Sequence, residues 1–379
     1  MSAVPFDAFR YAHARRDEVA WLSQNTNHLV PPEVVGPALA AAIHARRYEG
    51  YPYAPGDPDL RDLVLQDLGL PAGTGFLLSA GGTEALYMLT RALLAADDRV
   101  VASDPSYLII HKFIELAGAR VDAIPIYAPP YRLTVDRVRE AITDRTRMLL
   151  LIDPLNPLGS GYPESDVKAL AEIAHDKRLI LVNDVTYRDF ADAPTLATRF
   201  APEETVTVWS VSKNCGLAGL RLGGLVGPEP LVRRIARYNT NDLGVNALAQ
   251  AAAVAALRTK SHWFPAVRAT VRANQERIRA AVAAVPGATL PVFPSQANMF
   301  AIDVSATGVT PEALQEALLT QHGVFVRAGN YLSPKFGDRF VRVSFSNPPA
   351  DIDRFVAAFG PTLESLRPRP ASVAAAANP

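Results

Sequence analysis

Cysteine is almost absent. A single thiol, Cys215, stands among 379 residues, so no internal disulfide can form, in keeping with a reducing compartment. Net charge is absent as well: 38 Lys plus Arg balance 38 Asp plus Glu, and the pI is near 7.1. A chain without a basic excess has no electrostatic footprint for nucleic acid, which argues against that partner. There is no long apolar run. The longest, around Ala247 to Leu257, is alanine-rich and too short to span a bilayer, so no membrane partner is expected. The start, M-S-A-V-P-F-D-A-F-R, has an early Asp and no apolar core, and reads as no signal peptide; a soluble, cytoplasmic protein is expected. Lysine is scarce too, six residues against 32 arginines. No metal site is assigned.

What remains is a globular composition, 49% apolar and 20% charged, on a chain too long for one ordinary domain. Residues 1–30 read as an N-terminal arm, with an amphipathic helix over Asp7 to Leu22 and a polar loop from Ser23 to His28. Pro31-Pro32-Glu33 opens a helix, with proline in its first turn and an acid near its positive end. Tyr48 to Pro58 is dense in Gly and Pro and is expected to be irregular; a helix follows from Asp59 to Leu68. Short apolar strands then alternate with helices. The strands are Phe76–Ala80, Val100–Ala102, Arg120–Pro125, Met148–Ile152, Ile180–Asn183, Thr205–Trp209 and Gly224–Val226. That alternation predicts an α/β fold, a mostly parallel seven-stranded sheet sandwiched by helices in a large domain over 31–245. Pro230 to about Val285 reads as long helix broken near Asn239 to Val245. A second, smaller alternation follows: strands Met299–Val304, Val324–Ala328 and Phe340–Ser344, with helices Pro311–Gln321 and Pro349–Leu363. It predicts an interdomain helix and small α+β domain over 246–365, then a disordered tail over 366–379.

In open α/β sheets, ligands bind beyond the carboxyl ends of the strands. After Phe76–Ala80 come Gly81, Gly82 and Thr83, which open a helix. Such amides can cradle phosphate, although small residues at a strand–helix turn also serve packing alone. After Val100–Ala102 comes Tyr107, either a plate for a flat ring or a core tyrosine. After Met148–Ile152 comes Asn156 between prolines, either aimed at a ligand or simply part of a turn. After Ile180–Asn183 come Asp184 and Tyr187; the carboxylate either meets a cation or caps a helix.

The stretch S-V-S-K-N-C-G-L-A-G-L-R-L-G, Ser210 to Gly223, sets Lys213 among Ser210, Ser212 and Arg221. Unlike arginine, lysine can lose its proton and form a Schiff base. Hydroxyls and a guanidinium around such an amine suit an anion. A lysine, a carboxylate with a phenol, an amide, an aromatic plate and a phosphate cradle together fit pyridoxal 5′-phosphate (PLP).

The chain resembles the fold-type I PLP enzymes, class I/II aminotransferases close to the aspartate and histidinol-phosphate enzymes. The resemblance runs from about Asn25 to Leu363. The family's S-x-S-K-x-x-G-L-x-x-x-R-x-G is matched by Ser210, Ser212, Lys213, Gly216, Leu217, Arg221 and Gly223; its N-P-x-G by Asn156, Pro157 and Gly159. Its D-x-x-Y is matched by Asp184 and Tyr187, its ring stacker by Tyr107, and its Y-x-x-x-x-G by Tyr51 and Gly56. Two departures mark a divergent branch: D-V-T-Y for D-E-A-Y, and Leu158 for the threonine of N-P-T-G.

The resemblance implies that Lys213 carries the cofactor and serves as general base. Asp184 would pair with the ring nitrogen, Tyr187 and Asn156 with the 3-oxygen. Gly82, Thr83, Ser210, Ser212 and Arg221 would hold the phosphate. Tyr51 would reach the phosphate of a neighbouring subunit, which implies a homodimer. Arg342 would clasp the α-carboxylate of the substrate. Asn25, Asn27, His28 and Arg327 are candidates for its side chain and lean towards a polar or charged amino acid. The expected reaction moves an amino group between an L-amino acid and a 2-oxo acid. Oxidation, decarboxylation or elimination by the same cofactor stays open, the oxidase through a histidine such as His28. A sensor fused to a DNA-binding module is disfavoured by the short arm.

Overall fold

The computed structural model describes residues 6–367. The expected tail, 366–379, lies outside them from residue 368 onward. The chain starts with α1 (Ala8–His13), β1 (Ala20–Trp21), α2 (Pro32–His44) and α3 (Pro58–Leu68). The alternation follows as β2 (Gly75–Ser79), α4 (Gly82–Leu93), β3 (Arg99–Asp104), α5 (Ile109–Leu116), β4 (Arg120–Pro125), α6 (Val135–Ala141), β5 (Thr146–Ile152), α7 (Glu164–Lys177), β6 (Ile180–Asp184), β7 (Thr205–Ser210) and β8 (Gly223–Gly227). Three helices come next, α8 (Glu229–Ala236), α9 (Ala247–Arg258) and α10 (Lys260–Ala283). The remainder is β9 (Met299–Asp303), α11 (Pro311–His322), β10 (Val324–Phe325), β11 (Arg327–Ala328), β12 (Phe340–Ser344) and α12 (Pro349–Leu366).

The main sheet has seven strands in the order β2-β8-β7-β6-β5-β3-β4. All neighbours are parallel except that β8 runs antiparallel to both β2 and β7. The core strands carry the expected signature. In β5, T-R-M-L-L-L-I, every residue but Arg147 is buried, as a strand covered by helices on both faces requires. The reversal of β8 matters for the site. It brings the amino end of β8, with Arg221 just before it, to the edge where the other strands have their carboxyl ends. A second, antiparallel sheet, β11-β12-β9, sets Arg327 directly opposite Arg342.

Three expectations are corrected. The arm is not one helix from Asp7 to Leu22: α1 ends at His13, and Ala20–Trp21 pairs in parallel with Val324–Phe325. Burial decides it, because Phe325 takes both Phe9 and Trp21 edge-on, at ring centroids 5.0 and 5.7 Å away. For the same reason the expected strand Val324–Ala328 divides at Val326, one half pairing with the arm and the other with β12. The long helix after Pro230 has a second break at Thr259 beyond the expected one.

Candidate active site

A cavity of about 320 Å³ opens at the carboxyl edge of the main sheet. Lys213 lies on its wall in the turn after β7, with Arg221 completing the same loop before β8. The Lys213 side chain is half-buried and its amine donates to the Gln24 carbonyl at 3.0 Å. Burial, with the Arg342 and Arg221 charges added, brings it down to about 7. Near neutral pH a substantial share of it is therefore unprotonated and available as a base or nucleophile.

Asp184 ends β6 and is buried. Its Oδ1 accepts from the Thr186 amide at 3.0 Å and from the Thr186 hydroxyl at 2.6 Å. Burial pushes the carboxyl above its usual range, and the Thr186 bonds oppose that. Oδ2 accepts from no group of the described chain. A buried carboxylate with one oxygen free and no cation beside it asks for a cationic donor from a ligand.

Tyr187 presents its hydroxyl to the cavity and accepts from Asn25 Nδ2 at 3.1 Å. Asn156 accepts from Arg342 Nη1 at 2.9 Å through Oδ1, which leaves its own N–H groups for a ligand. Tyr107 is tied through its hydroxyl to Thr83 Oγ1 at 2.9 Å, so its ring is fixed as one wall.

The anion cradle is built by close approach of backbones. Gly81 has φ +99, a glycine conformation, and turns the chain from β2 into α4. The amides of Gly82 and Thr83, in the first turn of α4, donate to no acceptor in the described chain. Arg221 is braced above them by the carbonyls of Ala218 and Ala80, at 2.9 and 3.0 Å. Ser210 and Ser212 line the same end of the cavity.

At the other end sit two guanidinium groups. Arg342 is buried and donates to Ser23 O and Asn156 Oδ1, while its Nε has no partner. Burial pushes it down to about 10. Arg327 lies against two rings, its guanidinium carbon 4.4 Å from the centroid of Phe9 and 3.7 Å from that of Tyr331. Among the described residues no carboxylate forms an ion pair with it. The lining thus holds Lys213, Arg221, Arg327 and Arg342 against one acid, Asp184. Such a cavity can hold a flat, phosphate-bearing carbonyl compound together with a second anion.

The structure brings together Gly82, Thr83, Tyr107, Asn156, Asp184, Tyr187, Ser210, Ser212, Lys213, Arg221 and Arg342, and also Asn25 and Arg327. It does not bring two substrate candidates into the cavity lining. Asn27 is turned away, donating to the Asn214 carbonyl at 3.0 Å and accepting from the Leu29 amide at 3.1 Å. His28 is exposed, does not line the cavity, and bonds Thr26 Oγ1 through Nε2 at 2.6 Å. Tyr51 is 80% exposed and stands outside this cavity. Phe9, Ser23, Gln24, Thr186 and Tyr331 were not foreseen. Only Thr186 had a signal, as a departure from the D-E-A-Y pattern next to Asp184. Among the described residues, no group of three or more His, Cys, Asp or Glu is placed to hold a metal ion. No described helix is long and apolar enough to cross a membrane.

Comparison with known proteins agrees with this geometry. The model of the family described as aminotransferase class I and II matches residues 17–359. Histidinol-phosphate aminotransferase 1 of Mesorhizobium japonicum is 31% identical over 362 residues, 93% of this chain and 92% of the relative. Aspartate aminotransferase of Pyrococcus horikoshii is 28% identical over 304 residues, 77% of each chain. A solved aminotransferase from Mycobacterium tuberculosis superposes with a TM-score of 0.83 at 25% identity, covering 96% of this chain and 98% of that one. With the family matched along almost its whole length, the chain belongs to the class I and II aminotransferases and is an aminotransferase.

Proposed function

We propose that the cavity binds PLP on Lys213 and transfers an amino group between an acidic or otherwise anionic L-amino acid and a 2-oxo acid. The observation that carries the cofactor is the half-buried Lys213 amine, brought to about 7, lining the same cavity as a buried Asp184 with one free oxygen. When bound, PLP supplies an electron sink that makes the α-hydrogen of an amino acid acidic. Asp184 would face the ring nitrogen through Oδ2. Tyr187 and Asn156 would donate to the 3-oxygen, and the Tyr107 ring would cover one face. Gly82, Thr83, Ser210, Ser212 and Arg221 would surround the phosphate, where a helix N-terminus and a guanidinium act together.

Arg342 grips the substrate α-carboxylate, exchanging its bond to the Ser23 carbonyl for a charged partner. Lys213 Nζ would take the proton from the substrate α-carbon. The substrate class comes from Arg327. Charges of one sign directly opposite each other on paired strands are unfavourable, and Arg327 and Arg342 are such a pair. Once Arg221 has the phosphate and Arg342 the α-carboxylate, Arg327 is the cation left without an anion. The name of one relative, aspartate aminotransferase, is in line with that class.

The proposal includes a homodimer in which Tyr51 reaches the phosphate in the site of a second copy. It is supported by the exposure of Tyr51 at 80%, Tyr53 at 67%, Tyr48 at 59% and Ile43 at 52%, an apolar cluster on one segment. The experiment is a donor screen with added PLP and a 2-oxo acid. Acidic donors are expected to be converted to their oxo acids well ahead of neutral ones. Turnover of neutral donors alone would refute the substrate class, and absence of transamination with every donor would refute the function.

A further inference from the structure

Asn25 lies on the polar segment after β1, at the rim of the cavity and buried. Its Nδ2 donates to the Tyr187 hydroxyl at 3.1 Å. A phenol has one proton, so an oxygen that accepts from Asn25 must give that proton elsewhere. No group of the described chain receives it, and the hydroxyl faces the cavity. The opposite amide orientation would leave both N–H groups of Nδ2 unpaired where now the unpaired atom is Oδ1. The backbone holds the side chain in place. Asn25 has φ +54, a left-handed conformation that asparagine tolerates, and its carbonyl accepts from Asn298 Nδ2 at 3.0 Å.

We infer that Asn25 is a positioning residue: by donating to the Tyr187 oxygen, it commits the phenol proton to the 3-oxygen of the cofactor. The inference rests on the cofactor proposed above. It also couples the N-terminal segment, which supplies the Gln24 carbonyl bonded by Lys213, to the electronics of the ring. The charged or titratable groups facing Tyr187 are Arg342, Asp184 and Tyr107. Burial pushes the phenol up to about 12, so it keeps its proton through the range in which the test is read.

The test is the visible spectrum of the holoenzyme as a function of pH. A proton given to the 3-oxygen stabilises negative charge there, so the lysine-bound chromophore loses its own proton at lower pH. In N25G, which keeps the left-handed backbone and deletes the amide, the midpoint is expected to rise by about half to one pH unit. Y187F is expected to raise it further, and N25G/Y187F to match Y187F alone. If N25G fails to retain cofactor, N25D serves, because it is nearly isosteric and its carboxylate cannot donate; its midpoint is expected to rise at least as far. A wild-type midpoint in the Asn25 variant overturns the inference, and so do shifts that simply add in the double variant. A wild-type protein with no visible band would instead remove the cofactor assignment, so the two failures are distinguishable.

Discussion

Two arginines directly opposed across β11 and β12 are costly in an empty site and useful in a filled one. Arg327 is the more telling of the two. Its guanidinium lies against the rings of Phe9 and Tyr331, which hold a planar fork that suits a carboxylate or phosphate. Replacing it with methionine keeps the stem and removes the charge. R327M is expected to lower kcat/KM for an acidic donor about 10- to 100-fold, the size of a charged hydrogen bond, with little effect on a neutral donor. Equal losses for both would mean that Arg327 acts only through packing. Arg327 was legible as a polar residue near a strand end, but its freedom from an acid partner was not. Nor could the sequence show that the Ser23 and Gln24 carbonyls bond Arg342 and Lys213, because backbone groups carry no letter of their own. His28 shows the converse: a histidine in the right segment, yet turned towards Thr26 and out of the cavity.

At the scale of the element, the site depends on β8 running against its neighbours. That reversal places Gly223 against both β2 and β7, opposite Ser79 and Ser210. A Cβ built on Gly223 would lie 2.7 Å from Gly82 N and from Trp209 O. G223A is therefore expected to push the first turn of α4 off the sheet at a cost of about 1–3 kcal/mol. It should lower the melting temperature and weaken PLP binding together. A variant with wild-type cofactor affinity would show that the cradle does not depend on this contact. The strands themselves were legible, since apolar runs bounded by helices leave few alternatives. The arm was not. Its apolar spacing fits a single amphipathic helix as well as it fits α1 plus β1, and the choice is made by Phe325, more than 300 residues away in sequence.

For the whole molecule, the question is how many chains complete a site. Tyr51 stands outside the cavity of its own chain, among exposed tyrosines on a loop that carries no regular structure. If it serves a second copy, the protein sediments as a dimer at assay concentrations, and Y51F weakens PLP binding without dissociating it. An active monomer would contradict that arrangement. The main-sheet architecture and the polar groups at its carboxyl edge share one logic: the sheet exists to bring Lys213, Asp184 and Arg221 to a single rim from strands scattered along the sequence. The most direct test of that logic is to incubate the protein with PLP, reduce with borohydride, and map the labelled peptide. Borohydride converts a carbon–nitrogen double bond between lysine and cofactor into a stable amine. The expected result is one cofactor per chain, attached at Lys213. Label on any of the other five lysines, or no label at all, would contradict it.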